Sequence, residues 1–142
     1  MRRGTRFAYC SRTRVLPLSE LARVLAPNPA LTTRIERDVL IVTVHDSLTG
    51  NDADVTVSID DGGHVRSQAE ELASALDAGT HAIDPVVPRP DTSALRQADT
   101  RYEMTWDLRY SDETFNTLMW LTEPMVHACE AIVYDATSRR FV

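Results

Sequence analysis

The sequence predicts an α+β fold, an antiparallel sheet with helices packed on one face, and three observations carry that reading. Arg101–Tyr110 alternates without a miss, with Tyr102, Met104, Trp106, Leu108 and Tyr110 on one side and polar residues on the other. That is the period of a half-buried strand. Two β-branched runs, Asp38–His45 and Ala53–Ile59, flank the turn residues Gly50-Asn51-Asp52 and read as a hairpin. Two further stretches, Ser67–Leu76 and Ser111–Cys129, space their apolar residues at helical intervals.

In chain order, Phe7–Val15 reads as a first strand. Pro17 then precedes the helical pattern Leu18, Leu21, Ala22, Leu25, which Pro27 ends by pushing its predecessor out of the α region. Asp38–His45, apolar at nearly every position, reads as a central strand covered on both faces. After the hairpin, Ser67-Gln-Ala-Glu70 predicts a capping box opening a helix with the stripe Ala69, Leu72, Ala73, Leu76, and Gly79 supplies its C-terminal turn. From Thr80 to Thr100 no period holds, because Pro85, Pro88 and Pro90 interrupt it, although Asp91–Gln97 has the makings of a short helix. A connection this long exceeds the usual 4–6 or so residues and marks a binding loop.

After the Arg101–Tyr110 strand, Ser111-Asp112-Glu113 places a capping hydroxyl and two carboxylates at the start of the last helix. Phe115, Leu118, Met119, Thr122, Val126 and Cys129 form its predicted core stripe, and Asn116, Trp120, Glu123, His127 and Glu130 run beside it. Pro124 lacks the N–H that the Trp120 carbonyl needs, which predicts a kink or a restart capped by Thr122. An apolar strand ending Tyr134-Asp135 closes the pattern. The order β-α-β-β-α, long loop, β-α-β describes a single domain over residues 1–142, with a ferredoxin-like β-α-β-β-α-β core and a C-terminal α-β extension.

Composition narrows the function classes. The chain has 142 residues, 43% apolar and 25% charged, which suits one globular core rather than a disordered or membrane-spanning chain. All fifteen basic residues are arginine, the mark of a GC-rich bacterial genome. Asp46–Asp135 holds eighteen carboxylates against five arginines, whereas the two ends carry ten arginines against three carboxylates. So acidic a middle repels nucleic acid and anionic membrane and attracts a basic protein partner. The basic opening Met1–Arg6 is not followed by the apolar run of a signal peptide, and Cys10 and Cys129 are too few for a disulfide framework; both expectations place the protein in the cytoplasm with buried thiols.

No catalytic motif emerges. His45, His64, His81 and His127 lack zinc-site spacing, Asp52-Ala-Asp54 and Asp60-Asp61 lack the calcium-loop pattern, and Gly62-Gly63 lacks a phosphate-binding context. No metal, cofactor or catalytic residue is predicted. The nearest approach to chemistry is Glu123 with His127, four apart on one helix, which leaves a small enzyme or ligand-binding protein as the alternative. Trp120 among polar neighbours is the candidate anchor for a protein partner, joined by Asn116, Glu123 and His127 and, from the long loop, by Asp84 and Asp91. A homo-oligomer paired through Trp120 or through the edge of the Tyr102–Tyr110 strand is a further alternative.

The run Glu113–Asp135, a long helix and then an apolar strand ending Tyr-Asp, resembles the ends of small bacterial proteins, among them immunity proteins of polymorphic toxin systems. The resemblance implies a small acidic protein that binds and blocks a cognate toxin without chemistry of its own. It carries over no functional residue.

Overall fold

The computed structural model describes residues 2–80, 82–83 and 87–142, with backbone alone at 82–83. The elements are β1 (Arg3–Cys10), α1 (Leu18–Leu25), β2 (Leu31–Glu36), β3 (Val39–His45), β4 (Asp52–Asp60), α2 (Gly63–Asp77), β5 (Ala82–Ile83), α3 (Thr92–Arg96), β6 (Thr100–Asp107), α4 (Ser111–Cys129), β7 (Ile132–Asp135) and β8 (Arg140–Phe141). They form one open sheet in the order β2-β3-β4-β6-β1-β7-β8-β5, antiparallel throughout except for the short parallel pairing of β5 with β8. The α+β class is as the sequence predicts.

The ferredoxin-like order is not found. Strands β2, β3 and β4 run as a meander, β6 inserts between β4 and β1, and β7 pairs with the other side of β1. The departure lies in β6, which pairs with both β4 and β1 and so keeps those two strands apart; separately, the sequence reading leaves out the edge strand β2. Its Thr32-Thr33-Arg34-Ile35-Glu36 has one large apolar residue and sits at the sheet edge, so no alternation betrays it. Arg37 and Asp38, both at positive φ (50° and 63°), make the tight turn into β3.

Helices cover both faces rather than one. On the first face α1 and α4 bury Leu21, Leu25, Leu118, Leu121 and Met125 against Leu40, Val42, Val55, Val57, Tyr102 and Met104. On the second, α2 and α3 bury Val65, Ala69, Ala73, Leu76 and Leu95 against Tyr9, Tyr134 and Phe141. The central strand β1 explains this, because it is apolar both ways: Ala8 and Cys10 face the first cluster while Phe7 and Tyr9 face the second. By contrast β3, expected to be covered on both sides, buries only Leu40, Val42 and Val44, and leaves Val39 and Ile41 half-exposed on the uncovered half of the second face.

Several boundaries move for local reasons. β1 begins at Arg3 and stops at Cys10, where Ser11 starts a turn closed by the Arg14 N–H on the Ser11 carbonyl at 2.9 Å. Gly4 lies opposite Trp106, whose indole occupies the space a Cβ would need. β6 ends at Asp107, whose carboxylate accepts the Arg109 N–H at 3.0 Å and turns the chain into α4. α2 begins at Gly63, not Ser67, so the predicted capping box lies inside the helix; Gly79 at φ 72° ends it as expected. Asp91 caps α3 within the long connection, accepting the Ser93 and Ala94 N–H groups. α4 runs unbroken through Pro124, with no restart: Thr122 donates its hydroxyl back to the Leu118 carbonyl at 2.9 Å instead of capping a new helix.

Candidate functional site

Two apolar stripes lie one residue apart on α4, and only one can face the sheet. The buried stripe is Thr114, Leu118, Leu121, Met125 and Cys129. The predicted core stripe is therefore overturned at most of its positions: Leu118 and Cys129 are buried, but Phe115, Met119 and Val126 stand 60%, 51% and 42% exposed. The small side chains of Thr114 and Thr117 let the helix settle on their side, which brings Leu121 and Met125 down and rolls Phe115 out. Phe115, Met119, Thr122 and Val126 keep the spacing i, i+4, i+7, i+11, so they form a continuous strip along the outer flank.

Trp120 lies on the opposite flank, half-buried against the first core cluster. Its indole helps wall a hollow of about 300 Å³ at the seam of α1 and α4, lined by Val24, Leu25, Asn28, Trp120, Glu123, Pro124 and His127. A second, shallower hollow of about 410 Å³ lies along α4 between Met119, Thr122 and Val126 on one side and Trp120, Glu123 and His127 on the other. Trp120, Glu123 and His127 line both, which makes them the ridge between the two. Of the six large apolar side chains most exposed among the described residues, Val24, Phe115, Met119 and Val126 belong to this layer. Such clustering separates a surface with a purpose from ordinary scattered exposure.

The formal charge carried by α4 itself has one sign. From Ser111 to Cys129 there is no arginine, while Asp112, Glu113 and Glu123 are present. Arg109, just before α4, pairs with Asp107 at 2.7 Å, Arg23 of α1 with Glu20 at 3.2 Å, and Arg14 with Glu130 at 2.9 Å.

Four predicted site residues thus share one surface: Trp120, Glu123 and His127 on the ridge, and Asn116 exposed one turn before Trp120. Glu123 and His127 line the same hollows but form neither a hydrogen bond nor an ion pair with each other. Asp91 is elsewhere, in the α2/α3 layer on the other face of the sheet, its carboxylate engaged in capping α3. Asp84 lies outside the described residues. Sequence reasoning missed Val24 of α1 and Asn28 in the loop after it, and assigned Phe115, Met119 and Val126 to the core. The signal was there: Phe115, Leu118, Met119, Leu121, Met125 and Val126 are more apolar surface than one helix face can bury.

Beneath this surface lie buried titratable groups. Tyr102 donates its hydroxyl to the Leu16 carbonyl at 2.7 Å and lies 3.6 Å from Cys129 Sγ; burial, then the neighbouring thiol, pushes its pKa up. Cys10 and Cys129 are free, buried and line a common cavity of about 190 Å³. Burial, and next the Cys129 thiol, pushes Cys10 up to about 12, so it remains a thiol near neutral pH. On the far side of the sheet, Arg101 is buried over the Phe7 ring at 4.0 Å and donates to Tyr9 Oη at 3.1 Å, to Gln68 Oε1 and to Asp60 Oδ2 at 3.4 Å. No helix is long and apolar enough to cross a membrane among the described residues. Compared with protein families, with curated proteins and with solved structures, the chain matches none.

Proposed function

We propose that this protein is a non-enzymatic binding module that captures a basic protein partner on the α1–α4 surface, most concretely as a bacterial immunity protein that neutralises a cognate toxin. One observation carries the reading: an apolar strip, Phe115, Met119 and Val126, with Trp120 on the other flank of the same ridge, bordered on α4 by acidic charge alone. An apolar strip gives affinity when its partner covers it, and a one-signed rim selects a partner of the other sign. The same rim disfavours self-pairing of α4, because two copies would set Asp112, Glu113 and Glu123 against one another. Glu123 and His127 serve this reading as rim groups. Their lack of mutual contact gives no support to an oriented acid–base pair.

Co-expression with the product of the adjacent reading frame tests the proposal. A complex should co-purify, and growth arrest caused by that product should be relieved. Trp120→Ala should weaken binding by about 2 kcal/mol or more, the usual scale for a tryptophan anchor, while the variant still folds. No complex and no protection would sink the immunity role. Lost folding in Trp120→Ala would return that side chain to the core.

A further inference from the structure

The edge strand β2 carries an independent interaction surface. Among the described residues it pairs with β3 alone, in an unbroken register, and it holds no proline. The two-residue turn at Arg37-Asp38 makes Glu36 and Val39 the closing hydrogen-bonded pair. Alternation then directs the backbone groups of Arg34 and Thr32 toward β3, and those of Ile35 and Thr33 outward. The His45 N–H on the Ala30 carbonyl at 3.3 Å fits the same alternation. Ile35 thus combines an outward-directed N–H and C=O with a side chain 47% exposed.

Charged residues on an edge strand ordinarily prevent pairing, because one sign meets itself. Here the signs differ two residues apart. Arg34 and Glu36 share a face, 3.2 Å from each other and both more than half exposed. We infer that two copies of this chain associate through β2, antiparallel about a two-fold axis at Ile35. In that register Ile35 exchanges both backbone hydrogen bonds with its copy, and Arg34 of each chain lies opposite Glu36 of the other. Thr33 then lies opposite the turn residue Arg37 of the copy, so the ladder is short. Shifting the axis to Thr33 would set Arg34 opposite Thr32 and lose the charge match. The charges therefore select one register, and the sheet continues from one protomer into the next. So small an interface lies at the low end of specific contacts, and the dimer dissociates on dilution.

Light scattering coupled to gel filtration tests this without any partner. The native chain of 15.9 kDa should approach twice that mass as concentration rises. Arg34→Glu and Glu36→Arg, at exposed positions, should each weaken self-association by about tenfold or more, with unchanged melting. An equimolar mixture of the two should form a heterodimer, since one variant then presents acids at both positions and the other presents arginines at both. The double exchange should dimerise again. Ile35→Pro removes the outward N–H and the exposed isoleucine side chain without breaking a bond to β3, which edge strands tolerate, and should abolish pairing. A mass that stays at the monomer value at every concentration overturns the inference. So does a dimer that neither the single reversals nor Ile35→Pro disturbs.

Discussion

Two buried polar side chains have opposite prospects under substitution. Arg101 is 5% exposed, yet its charge is answered by Asp60, by the oxygens of Tyr9 and Gln68 and by the Phe7 ring, so only its Nε lacks a partner. Arg101→Met keeps the bulk but takes the guanidinium donors from Tyr9 and Gln68 and the ion pair from Asp60, and should cost roughly 2–3 kcal/mol of unfolding free energy. Thr117 is fully buried beneath α4, and its hydroxyl has no hydrogen-bond partner. Thr117→Val replaces that hydroxyl with a methyl of the same shape, and should be neutral or stabilising by about 1 kcal/mol. Urea unfolding of both variants checks the pair. A neutral Arg101→Met or a strongly destabilised Thr117→Val would contradict this account of the interior. Neither role was legible in the sequence, where Arg101 reads as the solvent side of an alternating strand and Thr117 as a helix residue of no distinction.

At the scale of elements, legibility followed the length of the pattern. The β3–β4 hairpin, the apolar face of α2 with Gly79 at its end, and the alternation of β6 could be read because each repeats its period several times. The start of α2 could not, because the group that serves it lies outside the helix: Asp60 accepts the Gly62 N–H at 3.1 Å and lies 2.7 Å from His64 Nε2. Burial pushes the Asp60 carboxyl up, but the Gly62 N–H, His64 and Arg101 outweigh it and hold it below the usual carboxylate range. A depressed carboxylate stabilises the fold at pH above its unfolded value of about 3.9, and that contribution is lost as pH falls through the lower folded value. Thermal midpoints followed from about pH 6 down to about pH 3 should therefore drop more steeply for the native protein than for Asp60→Asn. Parallel curves would remove Asp60 from the acid-sensitive step. For α4 the period was legible and the phase was not, since two overlapping stripes satisfy it and small side chains at 114 and 117 decide which one the sheet receives.

For the molecule as a whole, the strand order lay beyond local patterns. An edge strand with one exposed isoleucine turned an expected two-strand hairpin into a three-strand meander, and apolar residues on both sides of β1 drew α2 and α3 to the face opposite α4. The consequence bears on the proposed docking surface. Among the described residues only α1 and α4 cover that face, and the outer side of the layer is where exposed apolar side chains meet the acidic charge of α4. The most direct test is a calorimetric titration of the adjacent gene's product into the native protein and into Met119→Arg, each at low and high salt. Met119 is half exposed and outside the core, so the variant should melt like the native protein. The native protein should bind, more weakly as salt rises, and Met119→Arg should lose about tenfold or more in affinity at both salts. Equal affinities for the two proteins, or native binding indifferent to salt, would contradict the α1–α4 surface as the docking site.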